Sequence, residues 1–214
     1  MNIDNYCTIY LIRHGQTDWN LEKRIQGRNP VVLNEMGRQQ ARAVSRALKS
    51  VKLSAIYASD IQRALETSQI IALDHDLTVI RSKLMRERAY GKLVGERDDI
   101  LTDKLRKMID KYYAIQDPDK RWRYRPMRGH ESSEDVGRRT MRFLREVAAA
   151  NIGKSVAVVT HGGIIKVVLA ELGWVSKDEF YKVEVKNAGY VVIESDGTDF
   201  KIKDLMGINR NGAK

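Results

Sequence analysis

The hydrophobic positions of this chain follow two alternating spacings. Short, mainly apolar runs, each the length of one buried strand, occur three times: Ile9–Ile12, Leu53–Ala58 and Val156–Val159. Apolar residues at three- and four-residue spacing follow each run and indicate amphipathic helices. Because the central strands are apolar and alternate with helices, the pattern favours a parallel sheet covered on both faces. We therefore predict a three-layer α/β/α sandwich with a mostly parallel central sheet.

Weaker signals extend this alternation to the rest of the chain. Asn34 is predicted to cap the first long helix, and Ser59 has the form of a capping-box residue that opens the next one. A third candidate strand covers Leu77–Ile80, and Val191–Glu194 with Phe200–Asp204 is typical of a closing hairpin. Strands and helices are therefore predicted on both sides of a central region that lacks this order.

The central region extends from Met85 to Glu131. It holds one predicted helix, about Ile100–Tyr113, and a basic-aromatic segment, Lys120–Arg128. A stretch of this length inside a compact domain is usually a lid or a substrate-facing insertion. We predict a single domain over residues 1–214 with a lid segment inserted at about residues 88–131.

Composition and charge narrow the class of protein. Apolar residues make up 43% of the chain, and no apolar run approaches the roughly 18 residues that span a bilayer. The N-terminus lacks the features of a secretory signal, and the single cysteine, Cys7, excludes an internal disulfide framework and fits a reducing compartment. The net charge of +10 favours anionic partners but does not by itself choose among nucleic acid, a membrane face and phosphorylated metabolites. We expect a cytoplasmic protein with no membrane partner.

Two predicted strands end in similar polar sequences. Ile9–Ile12 is followed by Arg13, His14 and a glycine, and Val156–Val159 leads to His161 and two further glycines. Because the carboxyl ends of parallel strands meet at one edge of a sheet, the two histidines can face each other there. The two glycines after His161 also open a helix, whose free N–H groups favour an anion.

Arg63 and Glu87 can reach the same edge, because each follows a predicted strand closely. With Arg13 and the two histidines they form a set suited to phosphoryl transfer through a histidine. Guanidinium groups hold the phosphoryl oxygens, one imidazole attacks, and the carboxyl group protonates the leaving oxygen. A metal held by the two histidines is the competing interpretation, but the carboxylate spacings of zinc and iron sites are missing. We expect no metal and no cofactor.

Four motifs of this chain resemble those of the histidine phosphatase superfamily, in its phosphoglycerate mutase-like branch: Ile12–Asn20, Ala58–Thr67, Leu84–Gly91 and Val158–Gly163. The resemblance implies that His14 is the phosphorylated nucleophile and Glu87 the general acid and base. It also implies that His161 is a second phosphate-binding histidine and that Arg13 and Arg63 clamp the phosphoryl group. The residues expected to contribute to substrate binding are Thr17, Asn20, Gln26, Gly27 and Gly162.

The insertion bears on which reaction is expected. Mutases of the family resemble one another in a longer insertion with an arginine pair and a proline-rich segment, and Lys120–Arg128 has neither. We therefore favour a phosphatase acting on small phosphate monoesters. A cofactor-dependent phosphoglycerate mutase is the alternative, and a non-catalytic protein that binds phosphate or nucleic acid is the second alternative.

The basic-aromatic segment carries a hypothesis of its own. The residue before Pro126 is restricted to extended backbone, so a period of two would place arginines on one side and aromatic rings on the other. Arg123 and Arg125 would then reach over the pocket toward a second anionic group of the substrate, although a solvated edge is the plain alternative. We expect a phosphorylated small molecule as partner and no nucleic acid. The oligomeric state stays open, a dimer included.

Overall fold

One six-stranded sheet organises the residues that the structure, a computed structural model, describes, which are 5–97 and 102–210. The strands are β1 (Cys7–Arg13), β2 (Leu53–Ser59), β3 (Val79–Ser82), β4 (Ser155–Thr160), β5 (Val183–Ser195) and β6 (Phe200–Arg210). Their order across the sheet is β3-β2-β4-β1-β5-β6. The first four of these pair in parallel, while β5 and β6 add two antiparallel strands beside β1. The predicted, mostly parallel sheet is confirmed.

The connections between the strands contain helices, several of which cover the two faces of the sheet. The helices are α1 (Asp18–Leu21), α2 (Glu35–Leu48), α3 (Gln62–Leu73), α4 (Asp103–Ala114), α5 (Pro118–Arg123), α6 (Ser133–Ala150) and α7 (Gly162–Glu171). Alternate residues of β4 enter different cores: Val156 and Val158 pack in the cluster with α6 and α7, and Ala157 and Val159 in the cluster with α2 and α3. Because side chains of a strand alternate between faces, this is a sheet buried on both sides.

Two element boundaries differ from prediction. The third strand, β3, begins at Val79, and the closing hairpin of β5 and β6 is longer than the predicted pair because the two strands pair with each other from Val183 to Ser195. The cap of α2 is as predicted, since the Asn34 side chain accepts from Gly37 N at 2.9 Å. The capping box at Ser59 is wrong: α3 has Ile61 at its N-cap position, and Ser59 is the last residue of β2.

The insertion is helical where an extended segment was expected. Asp117 accepts hydrogen bonds from Asp119 N and Lys120 N, and Pro118 occupies the first helical position of α5. A cap and a proline at this position favour a helix. The backbone restriction that Pro126 imposes acts on Arg125, which lies beyond the end of α5, so it does not keep the segment extended. The predicted start of α4 lies outside the described residues. In the described ranges, no helix is both long and apolar enough to cross a membrane.

Candidate active site

The carboxyl ends of β1 and β4 lie side by side and bring the two histidines together. Arg13 pairs with Thr160 in the parallel register, and His14 N donates to Thr160 O at 3.0 Å. His14 and His161 are therefore the next residues on adjacent strands, and their ring centroids are 5.3 Å apart with planes at 61°. The short distance follows from the register of the sheet.

His14 is held as a neutral imidazole with a defined tautomer. Its Nδ1 lies 2.7 Å from Gly15 O, and because a carbonyl only accepts, Nδ1 carries the proton. Its Nε2 accepts from Arg63 Nε at 3.1 Å. Burial, and then the positive charges of Arg63 and Arg13, lower the pKa of His14 well below its ordinary value. The Nε2 lone pair is therefore present at neutral pH.

Arg63 lies in the first turn of α3 and is almost fully buried. Besides the bond to His14, it donates from Nη2 to Gly27 O at 2.8 Å and from Nη1 to Asn29 O at 3.1 Å. Burial lowers the pKa of Arg63 to about 10, so the guanidinium remains a cation at neutral pH. The carbonyl groups of Gly27 and Asn29 thus hold the buried guanidinium of Arg63 beside the imidazole of His14.

Arg13 is the last residue of β1 and immediately precedes His14. It donates from Nη1 to Val185 O, and its Nε is buried without a hydrogen-bond partner among the described residues. Burial lowers the pKa of Arg13, while the charges of Glu87 and Glu184 raise it. The free Nε is a donor available to an anion in the pocket.

Glu87 follows the short 3₁₀ helix Lys83–Met85 and meets the first turn of α7. Its Oε1 accepts from Arg88 N at 2.8 Å and its Oε2 from Gly163 N at 3.3 Å. A Cβ at Gly163 would lie 2.6 Å from Glu87 Oε1, closer than such contacts allow. The glycine therefore provides the room in which the carboxyl group sits.

His161 occupies the N-cap position of α7 and is fully buried. Its Nε2 lies 2.8 Å from Ser59 Oγ, and its Nδ1 has no hydrogen-bond partner in the part of the chain that the structure describes. Burial, followed by the charge of Arg63, lowers the pKa of His161 well below its ordinary value. Both histidines are therefore neutral at neutral pH.

His161 packs its ring against that of His14, and His14, Arg63, Arg13 and Glu87 line a cavity of about 500 Å³. Of the residues predicted to bind substrate, four line it: Asn20, Gln26, Gly27 and Gly162. Thr17 does not. It caps α1 instead and donates from Oγ1 to Asn20 Oδ1 at 3.1 Å, so that it acts on the orientation of Asn20. Asn187 Nδ2 donates to the same Oδ1 at 3.2 Å.

Arg123 and Arg125 lie away from the cavity, contrary to the prediction. Arg123 Nε donates to Glu134 Oε1 at 2.9 Å, and Arg125 makes a bidentate pair with Asp135 at 2.7 and 2.6 Å. Both arginines are exposed. Two acidic residues in the first turn of α6, Glu134 and Asp135, therefore pair with these arginines in place of the expected substrate anion.

The sequence interpretation missed several residues that line the cavity: Arg24, Ile25, Arg88, Tyr90, Lys166, Phe180, Tyr181, Glu184 and Val185. Lys166 lies one turn beyond Gly162 in the helix that starts at the site, and this spacing could have predicted it. Burial and the charge of Arg13 lower the pKa of Lys166. The residues before and within β5 gave no comparable signal, because tertiary packing brings them to the cavity. Within residues 5–97 and 102–210, no group of three His, Cys, Asp or Glu side chains is placed to hold a metal ion.

Comparisons with known proteins agree with this geometry. A family model for the histidine phosphatase superfamily (branch 1) matches residues 9–206. Phosphoglycerate mutase-like protein 4 of Arabidopsis thaliana is 36% identical over 168 residues, which cover 76% of this chain and 69% of that protein. The 2,3-bisphosphoglycerate-dependent phosphoglycerate mutase 2 of Gloeobacter violaceus is 34% identical over 201 residues, covering 89% of this chain and 87% of that protein.

A solved structure extends the similarity to three dimensions. A phosphoserine phosphatase mutant from Entamoeba histolytica, in complex with phosphoserine, is 25% identical and covers 94% of this chain and 96% of its own, with a TM-score of 0.80. The residues matched by the family model include all four motifs and both histidines, His14 and His161. The chain belongs to the histidine phosphatase superfamily, in its phosphoglycerate mutase-like branch.

Proposed function

We propose that this protein is a phosphatase that hydrolyses small phosphate monoesters through a phosphohistidine on His14, with Glu87 as general acid and base. The observation that carries the proposal is the lone pair on His14 Nε2, which accepts from Arg63 Nε at 3.1 Å in a ring whose pKa is lowered by burial and by the charges of Arg63 and Arg13. A neutral imidazole is the nucleophilic form, and the arginines supply charge where the transferring phosphoryl group needs it.

In the first step His14 Nε2 forms a bond to phosphorus while the ester P–O bond breaks. Glu87 gives its proton to the leaving oxygen, so the alcohol departs neutral. Arg63 Nε, which donates to His14 Nε2 at 3.1 Å, must turn to a phosphoryl oxygen when the lone pair attacks. The buried Arg13 Nε supplies a second donor to the same group.

In the second step water attacks phosphorus and the P–N bond breaks. Glu87, now a carboxylate, takes a proton from the water, which restores the acid for the next turnover. Inorganic phosphate leaves and His14 returns to its neutral form. The hydrogen bonds from Arg88 N and Gly163 N keep the carboxyl group at one place through both steps.

The cavity suits a small and polar ester. Its volume of about 500 Å³ is in the range of small-molecule sites, and its lining mixes the cations Lys166 and Arg88 with the carboxylate of Glu184. Phosphoserine, the ligand in the similar Entamoeba histolytica structure, is therefore included in the substrate screen below.

The chemistry is tested with two esters that differ in leaving group. We expect His14→Ala to abolish hydrolysis of both an aryl and an alkyl phosphate. In single-turnover measurements, Glu87→Gln should slow phosphorylation of the enzyme by the alkyl ester by about 10²–10⁴-fold and by the aryl ester much less, because a phenolate leaves without a proton. The matched control His75→Gln, in the loop after α3, should keep full activity. Unchanged turnover in His14→Ala would overturn the proposal.

A mutase remains the second candidate because the Gloeobacter violaceus relative, 34% identical, carries that name. A screen that includes 3-phosphoglycerate and phosphoserine should score free phosphate and phosphoglycerate isomers in the same samples, with 2,3-bisphosphoglycerate as primer. We expect free phosphate to form faster than any isomer. Isomerisation that outpaces phosphate release would replace the phosphatase by the mutase.

A cytoplasmic location forms part of the proposal. The supporting observation is Cys7, a lone thiol that is fully buried in β1. Burial raises the pKa of Cys7 to about 11, so it stays an unreactive thiol that packs as a small apolar side chain.

A further inference from the structure

Ser59 places a hydroxyl group beneath the histidine pair. It ends β2, the neighbour of β4 in the sheet, where Ala58 pairs with Val159. Ser59 is fully buried, and its Oγ lies 2.8 Å from Nε2 of His161. The reaction steps above assign it no role, so its contact with His161 needs an explanation.

The direction of this hydrogen bond follows from the partners of Ser59. Ile61 N donates to Ser59 Oγ at 3.3 Å, which uses one of the oxygen lone pairs. The hydroxyl hydrogen needs an acceptor, and among the described residues only His161 Nε2 lies within its reach. A buried hydroxyl without an acceptor costs about 1–3 kcal/mol. Ser59 therefore donates, and His161 Nε2 accepts.

The protonation of His161 follows from that direction. If Nε2 accepts, it carries a lone pair, and a neutral imidazole then has its hydrogen on Nδ1. Burial and the charge of Arg63 lower the pKa of His161, which agrees with a neutral ring. Nδ1 is buried with no hydrogen-bond partner in the described part of the chain, in a ring 5.3 Å from that of His14. The Nδ1–H of His161 is therefore a hydrogen-bond donor without an acceptor among the described residues.

We propose that Ser59 is a positioning residue that fixes His161 as the Nδ1–H tautomer, so that this N–H donates to an oxygen of the phosphoryl group during its transfer to and from His14. The tautomer is a property of the protein alone, while the donation step rests on the proposed phosphatase function. A histidine with the opposite tautomer would present a lone pair to an anion and repel it.

The tautomer is measured directly by the nitrogen chemical shifts of the imidazole rings in the unmodified protein, with His161→Gln identifying the His161 signals. We expect Nδ1 to show a protonated and Nε2 an unprotonated shift. Ser59→Ala should lose this preference, and Ser59→Thr, which keeps the hydroxyl, should retain it. A protonated Nε2 in the unmodified protein, or an unchanged tautomer in Ser59→Ala, would overturn the assignment.

The donation step is measured by titration with orthovanadate and by kinetics. Orthovanadate should shift the Nδ1–H signal, and a signal that does not move on saturation would overturn the donor role. Ser59→Ala should lower kcat about 10-fold with little change in KM, less than the about 10²–10³-fold lost when a donor is removed outright, and Ser59→Thr should restore most of it. A Ser59→Ala variant with unchanged kcat would also contradict the donor role.

These outcomes separate the inference from the proposed function. Because the nitrogen shifts require no turnover, an inactive unmodified protein would overturn the phosphatase proposal and leave the tautomer to be decided by NMR. An active phosphatase with His161 in the Nε2–H form would overturn the tautomer assignment and leave the phosphatase proposal standing. If Ser59→Ala does not fold, the spectrum of the unmodified protein still decides the tautomer.

Discussion

At the scale of single residues, the site depends on a few contacts between groups that are far apart in sequence. Arg63 holds the lone pair of His14, and two consecutive glycines at the start of α7 leave room for Arg13 and Glu87. A Cβ at Gly162 would lie 3.2 Å from Arg13 Nε, a tight contact, whereas at Gly163 the approach to Glu87 Oε1 is 2.6 Å. The size of one side chain at Gly163 thus controls where the acid group lies.

Gly163→Ala is expected to lower kcat without lowering stability. Alanine favours a helix over glycine by about 1 kcal/mol, so α7 should gain slightly. Glu87 must move away from the new Cβ, and a displacement of about 1 Å in a catalytic group can cost about 10²-fold. We expect kcat to fall about 10- to 100-fold for an alkyl ester while Tm is unchanged or higher. Full activity would mean that the position of Glu87 does not matter to the reaction.

At the scale of elements, the central strands and their flanking helices could be predicted because their hydrophobic pattern is strong. The meeting of His14 and His161 could also be predicted, since it requires only that β1 and β4 be parallel neighbours. The insertion could not. The pairing of Arg125 with Asp135 and the packing of Trp122 on Phe180, at 5.1 Å between ring centroids, are tertiary contacts without a local signal.

The α5 region of the insertion is expected to influence the cavity through Trp122 and not through Arg123 or Arg125. Trp122 supports Phe180, which lines the cavity, and donates to Glu171 at 3.2 Å. Trp122→Leu should raise KM several-fold because Phe180 loses its support, while Trp122→Phe, which keeps an aromatic ring, should have a smaller effect.

The matched controls are Arg123→Ala and Arg125→Ala. Each removes a solvent-screened ion pair of an exposed arginine that does not line the cavity, so KM should stay the same for every ester that the enzyme hydrolyses. A raised KM in either arginine variant would restore the hypothesis that these side chains reach the substrate.

At the scale of the whole molecule, the buried histidines couple stability to pH. The folded protein keeps His14 and His161 neutral well below the ordinary histidine pKa, and burial lowers the pKa of His130 to about 4. The unfolded chain takes up protons at these residues below about pH 6.5, which the folded protein does not. Stability is therefore fully present above that pH and is lost as the pH falls below it.

Urea unfolding at about pH 7.5 and about pH 5.5 measures this coupling. Each of the three histidines should contribute a loss of about 1.4 kcal/mol in the free energy of unfolding at the lower pH. His130→Gln should reduce this loss in the free energy of unfolding by about the contribution of one histidine, and His14→Asn should reduce it by the same amount. A free energy of unfolding that is the same at both values would show that the histidines are not held neutral.

The central claim is that His14 carries the phosphoryl group, and trapping the intermediate tests it most directly. In Glu87→Gln an aryl phosphate should still phosphorylate the enzyme, because its leaving group needs no proton, while attack by water is slowed for want of a base. After a base quench and peptide mapping by mass spectrometry, we expect an acid-labile phosphoryl group on the peptide containing His14, and none in the variant that also carries His14→Ala. A phosphoryl group found on His161, or one that persists in the double variant, would contradict the assignment of His14 as the nucleophile.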